Sequence, residues 1–255
     1  IVRGKKPSKE VAIKLIVPEE GEGDECSFEV IQSPRVAGLD PHKGTDVQKE
    51  TLCPRCGRVM NSDAVKAEAQ AGRMGHQLFA VCTKIKRARR KRGVWNFRVP
   101  TANEREAATR AEERLKEKLP KWEKQGLVPN ERIILGLKTR EPLNFGMNRW
   151  CDLFNPRQLL THLTYLEKFL EEKQTVLSEV EGKSREKRDF AEAIVTYGAI
   201  VFDSCVDYNC LLSTWESTRV KVAHMMVLQA FPFISSYAEW AQLVPDGGFE
   251  WAVQK

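Results

Sequence analysis

The chain has 255 residues, 41 Lys and Arg against 35 Asp and Glu, and a formal net charge of +6. That length supports one large or two small domains with a proper core, and the mild positive balance suits a partner with phosphates without requiring one. There is no run of about 18 apolar residues that would span a membrane and no signal-peptide pattern, and the seven cysteines form no disulfide framework, which points to a reducing, cytoplasmic setting.

The chain starts at Ile1 in mid-pattern and reads as an internal piece of a longer protein. Residues 11–17 are β-branched and predict a strand, ended by Pro18 and an acidic Gly-rich turn. Residues 28–31 predict a second strand, closed by Pro34, so that the two form a hairpin. Next comes Cys53-Pro-Arg-Cys-Gly57. Two thiolates on a tight turn, with Gly57 permitting the turn beyond Cys56, have the form of a zinc knuckle. Structural zinc needs four ligands, and no second pair of this form follows. Cys26, Cys82, His42 and His76 are the remaining local candidates. A redox pair and a chance pair are the alternatives; no thioredoxin-like pattern surrounds the motif.

Residues 77–85 and 94–100 predict a hairpin with a basic tip. Lys86, Arg87, Arg89, Arg90, Lys91 and Arg92 at that tip form a phosphate-contacting finger or, in the plainer reading, a solvated loop. Trp95 and Phe97 share a face, for stacking on bases or for a core. Thr101 and Glu104 form a capping box, and a charged surface helix is expected up to Leu119, before Pro120. An irregular passage follows, with one apolar run at 133–137.

Asn155 and Pro156 mark a change of style. Asn suits an N-cap, Pro suits the first helical position, and Gln158 completes a capping box. Leu159, Leu163, Leu166 and Leu170 then recur at helical spacing. Three helices are predicted after this pivot, over 159–176, 190–210 and 217–231. The second is apolar on most sides and is expected to be buried. His224, in the third, is expected to be a core or surface histidine. The fold class is therefore α+β: a β-rich, zinc-ribbon-like module with a basic hairpin at 1–100, a charged helix and connector at 101–143, and a helical segment at 144–255.

Four stretches occur in order: 53–57, Gly72-Arg-Met-Gly-His-Gln-Leu-Phe-Ala-Val81, Arg149-Trp-Cys-Asp-Leu-Phe-Asn-Pro-Arg-Gln-Leu-Leu160, and Met225-Met-Val-Leu-Gln-Ala-Phe-Pro-Phe233. Together they resemble the large bacterial and archaeal adenine-specific DNA methylases that carry a zinc-ribbon insertion. The resemblance covers roughly residues 51–243. It implies methyl transfer from S-adenosylmethionine to the exocyclic amine of adenine, and DNA as partner. Two motifs of that family, a glycine-rich turn that holds the cofactor and an Asp-Pro-Pro-Tyr that engages the flipped base, are not in this chain; Asp40-Pro41-His42 is not the second of them. The chain is thus expected to be a middle piece of a Rossmann-like methyltransferase, inactive alone, with half a zinc site and with no catalytic residue of its own. Phe154, Asn155 and Pro156 are similar to the Phe-Thr-Pro element that lines the cofactor pocket, with Asn in place of Thr. The alternative is a non-catalytic zinc-ribbon module that binds nucleic acid through its basic residues and carries a helical interaction domain.

Overall fold

β-Branched residues at Val11–Ile16 form β1, which pairs antiparallel with β2 at Ser27–Gln32, Val11 facing Gln32 and Ile16 facing Ser27. This is the expected first hairpin. The computed structural model describes residues 10–19, 23, 25–35, 37–38, 40, 46–47, 50–85, 94–228, 230–244 and 247–254. They form a mixed α+β chain with small antiparallel sheets and six helices. Two compact units result, one within 1–107 plus 216–221 and one within 108–215 plus 222–255.

In the first unit, β3 (Asp46–Val47), β4 (Glu50–Leu52) and β5 (Val59–Asn61) make a three-stranded antiparallel sheet. Asn61 then caps α1 (Ser62–Gln70) by accepting the Ala64 N–H at 2.8 Å. β6 (Val81–Ile85) pairs with β7 (Val94–Arg98), as expected of the second hairpin. The strand begins later than the sequence suggests, because residues 77–80 are held by side chains instead. Gln77 donates to the Cys26 carbonyl at 2.7 Å, and Phe79 lies 5.6 Å from Phe28.

The Thr101–Glu104 capping box forms as predicted, with the Thr101 N–H donating to Glu104 at 2.8 Å and the Glu104 N–H to Thr101 Oγ1 at 3.3 Å. It opens α2 (Ala102–Lys124), which does not stop at Leu119 but runs through Pro120. A mid-helix proline costs about 3 kcal/mol. The completely buried Trp122 offsets this by anchoring the last turn among Leu115, Val128, Leu159 and Leu163. The helix is thus a packed element as well as a charged surface.

The second unit continues with α3 (Arg140–Asn144), a short 3-10 turn at Trp150–Leu153, α4 (Pro156–Glu179), α5 (Arg185–Tyr208) and α6 (Gly248–Gln254). α4 and α5 approach closely at Gly198, where a Cβ would lie 2.6 Å from the Phe169 ring. Tyr165 of α4 stacks on Phe202 and Phe249, joining α4, α5 and α6. α5 is not buried all round: Ala191, Val201 and Cys205 are covered, but Phe190, Ile194, Tyr197 and Ile200 stay exposed.

Among the described residues of 217–231, the predicted third helix does not form. Thr214–Glu216 (β8) pairs with Lys221–Ala223 (β9), and a 3-10 turn follows at Met225–Leu228. Trp215 and Val222 favour extended backbone and lie in β8 and β9, and Val220, in the turn between them, sits at φ +54, which no α-helix accommodates. The spacing of Val220, Ala223, Val227 and Ala230 imitated a helical stripe.

Candidate functional site

The C-x-x-C lies in a tight turn. Between β4 and β5 the chain turns so that the Cys53 carbonyl accepts the Gly57 N–H at 2.9 Å and the Cys53 N–H donates to the Arg58 carbonyl at 2.9 Å. Gly57 adopts φ +68, a left-handed conformation that glycine reaches without strain. Cys53 is half-buried and Cys56 exposed. The backbone N–H groups of Cys56 and Arg55, then the Cys56 thiol, pull the Cys53 thiol below its ordinary value. Donors aimed at one sulfur favour the thiolate, the form that ligates metal.

The other candidates are less prepared. Burial pushes the Cys82 thiol up to about 12, which opposes ligation. Cys26 precedes β2, and His76 is exposed. His42 lies outside the described residues. Among the described residues no cluster of three or more His, Cys, Asp and Glu is gathered for a metal.

The basic tip Lys86, Arg87, Arg89, Arg90, Lys91 and Arg92 also lies outside the described residues. Its supporting strands are in register up to Ile85 facing Val94. Lys84 and Trp95 face each other across them, the Lys84 ammonium 5.6 Å from the indole centroid. Trp95 is therefore an exposed aromatic with a cation over it.

The pivot is a buried junction of three segments. Asn155, fully buried, caps α4 by accepting the Gln158 N–H at 2.9 Å, and Gln158 returns a bond by accepting the Asn155 N–H at 3.0 Å. The predicted capping box is thus present. The Asn155 amide also donates to Tyr237 Oη at 3.0 Å and to Glu239 at 2.8 Å. Arg157 grips the same carboxylate, donating from Nε at 2.8 Å and from Nη2 at 2.7 Å. Burial disfavours the Arg157 charge, and the Glu239 hydrogen bonds outweigh it. The Arg157 and Glu239 side chains remain about a quarter exposed, at 25% and 26%.

Behind them, Asn209 gathers α4, α5 and the 237–240 segment. Its amide oxygen accepts the Trp240 N–H at 3.0 Å, and its carbonyl accepts a 2.9 Å bond from His162 Nε2. A carbonyl cannot donate, so His162 carries its proton on Nε2. Burial holds the His162 pKa below its ordinary value. Nδ1 is buried without a partner. Phe154 meets the His162 ring edge-on at 5.3 Å. An open surface groove of about 680 Å³ between Leu170, Leu177, Val180 and Arg188 lies roughly 30 Å further along α4.

Of the predicted cofactor-pocket residues, Pro156 starts α4, Phe154 packs on His162, and Asn155 spends every polar atom of its side chain within the chain. Tyr237, Glu239 and Asn209 were not singled out by sequence reasoning. Their partners lie 31 to 84 residues away, and nothing local marks the pairing. His162 carried a signal, being three residues from Leu159 on the apolar stripe. His224 lies 3.4 Å from the Asp207 carboxylate and 5.5 Å from the Tyr208 ring.

Comparison with sequence-family models, with characterised proteins and with solved structures finds no match to this chain. Among the described residues, no helix is long and apolar enough to cross a membrane.

Proposed function

We propose that the chain works as part of an S-adenosylmethionine-dependent DNA adenine methyltransferase, supplying half of a zinc ribbon, DNA-backbone contacts and a helical scaffold beside the cofactor. The supporting observation is the Cys53–Gly57 turn, whose N–H groups favour a thiolate at Cys53. The ordered stretches at 53–57, 72–81, 149–160 and 225–233 are the second support. In this reading Cys53 and Cys56 hold structural zinc, and Lys86, Arg87, Arg89, Arg90, Lys91 and Arg92 contact phosphates. Phe154, Asn155 and Pro156 shape one wall of the cofactor pocket of a Rossmann-like domain that the remainder of the protein provides. Methyl transfer needs the sulfonium carbon held in line with the adenine amine, and acceptor groups must bind that amine once the base leaves the stack. This chain has neither the glycine-rich turn nor Asp-Pro-Pro-Tyr. It therefore neither methylates DNA nor holds S-adenosylmethionine well by itself.

The test is incorporation of labelled methyl groups into adenine-containing duplex. The longer protein encoded around this segment is expected to turn over, and the 255-residue chain is not. A folded, cofactor-supplied longer protein that stays inactive would favour the second reading, a non-catalytic zinc-ribbon module that binds nucleic acid. One observation speaks for that reading: the Asn155 amide is wholly engaged inside the chain, as befits a scaffold joint.

A further inference from the structure

Between α2 and α3 the chain makes a loop that turns its apolar side chains outward. Ile133 is buried at 6% exposure, but Ile134, Leu135 and Leu137 are 84%, 70% and 85% exposed. Single exposed leucines are ordinary; three large apolar side chains within four residues at this exposure are not. The loop is also braced. On one side Arg132 forms an isolated antiparallel bridge with Arg149, and the Ile133 N–H donates to the Asn148 carbonyl at 2.8 Å. On the other the Lys138 carbonyl accepts the Phe231 N–H at 3.0 Å. Within the loop the Thr139 hydroxyl donates to the Ile134 carbonyl at 2.6 Å and accepts the Gly136 N–H at 2.9 Å. Ile133 roots the base among Met147, Leu153, Leu211 and Leu212. The result is a fixed apolar prong.

Its surroundings are cationic. Arg132, Lys138, Arg140 and Arg149 are all exposed, and among the described residues none takes part in an ion pair. Glu131, Glu141 and Asp152, whose carboxylate accepts the Arg149 N–H at 2.8 Å, are the acidic residues beside these four cations, which leaves a small positive excess. A braced apolar tip with exposed cations at its flanks, Arg132, Lys138 and Arg140 next to it in the chain and Arg149 bridged to Arg132, matches one kind of surface: stacked apolar rings between two lines of phosphate. Apolar side chains enter such stacks as wedges that open a single base step, while Arg and Lys hold the phosphates on either side. A lipid surface does not need a braced tip, and a lasting hold on it takes a larger apolar face than three side chains.

We propose that Ile134, Leu135 and Leu137 form a wedge that inserts between base pairs of duplex DNA, with Arg132, Lys138, Arg140 and Arg149 on the flanking phosphates. The site shares its partner with the reading above but rests on its own geometry, apart from zinc, cofactor and basic tip.

The experiment uses the full 255-residue chain and a duplex with a fluorescent adenine analogue that brightens when unstacked. Wild-type protein is expected to brighten it. The Leu135→Ser/Leu137→Ser variant is expected to leave it dark and to bind about tenfold more weakly; both positions are solvent-facing, and circular dichroism checks that the fold is kept. The Arg132→Ala/Lys138→Ala variant is expected to lower the salt slope by about two. A leucine variant that binds and brightens like wild type overturns the wedge, and so does wild-type protein that never brightens the probe. If the leucine variant instead loses self-association in sedimentation, or loses binding to vesicles of anionic phospholipid, with its DNA response unchanged, the prong serves another surface and the proposal falls. An Arg89→Ala/Arg90→Ala variant separates the two claims. If it alone reduces the salt slope, phosphate contact at the basic tip stands and the wedge does not.

Discussion

Replacing Asn155 tests the junction that joins α4 to the 237–240 segment. The residue is fully buried and makes three side-chain bonds, to the Gln158 N–H, Tyr237 and Glu239. Asn155→Ala removes an N-cap worth about 1 kcal/mol. It also removes a hydrogen bond to a charged group, worth about 1.5 kcal/mol or more, and leaves the buried Gln158 N–H unpaired. Together these lower unfolding free energy by about 3 kcal/mol. Asn155→Thr keeps a capping oxygen and loses the two donors, so it should fall between wild type and Asn155→Ala. Asn155→Asp is the sharper probe. It keeps the cap but places a second carboxyl 2.8 Å from Glu239, where two charges cannot both be carried. One carboxyl of the pair must then have a folded-state pKa above its unfolded value. The folded state binds the extra proton more tightly, so stability falls as pH rises through that raised pKa and recovers on acidification. Urea unfolding at pH steps from about 4 to about 7, read as the difference from wild type, should show the Asp variant nearly recovered at the acid end and worst at neutrality. A difference that does not change with pH would mean that the Asn155 amide does not face Glu239.

The remaining predictions concern other joints. Hydrogen bonding from Lys121 first, then from Lys118, holds the Glu167 carboxyl down at about 2. Because this folded pKa is depressed, its contribution is present above about pH 4.5 and is lost as pH falls toward about 2. Glu167→Gln should therefore cost about 1–2 kcal/mol near neutrality, discounted because Lys121 is largely exposed, and nothing at the acid end; a pH-independent cost in urea melts would remove the ion pair from the account. Cys53→Ser should abolish tight zinc binding in a protein extended upstream, measured as metal content after dialysis, while the present chain binds weakly in either form; equal and negligible metal in the extended protein and its variant would dismiss the knuckle. Gly248→Ala should be among the costliest single changes, above about 2 kcal/mol. Gly248 sits at φ +55, and a Cβ there would collide with the Gln242 carbonyl group; a melting temperature within a degree or two of wild type would contradict that packing.

How far the sequence could be read depended on the range of the forces involved. The two capping boxes, the first hairpin and the Cys53–Gly57 turn were legible, because each is decided within a few residues by a side-chain oxygen, a β-branched run or a glycine. Pro120 misled because its local cost is real, but the gain that offsets it, Trp122 among Val128, Leu159 and Leu163, comes from residues up to 41 positions away in the chain. The 217–231 stretch misled in another way. Its apolar spacing fits a helix, yet the left-handed turn at Val220 and the pairing of β8 with β9 give the backbone a different set of hydrogen bonds. The basic tip was legible as charge alone. At the pivot the same division runs through one side chain. The Asn155 oxygen obeys a local rule and was foreseen. Its nitrogen bonds Tyr237 and Glu239, 82 and 84 residues on, and was not. That split bears on the proposed function: an asparagine used only as a cap keeps a free amide for a ligand, whereas this one closes a buried joint. A cofactor at this wall would therefore meet the quarter-exposed Arg157–Glu239 pair before it met Asn155.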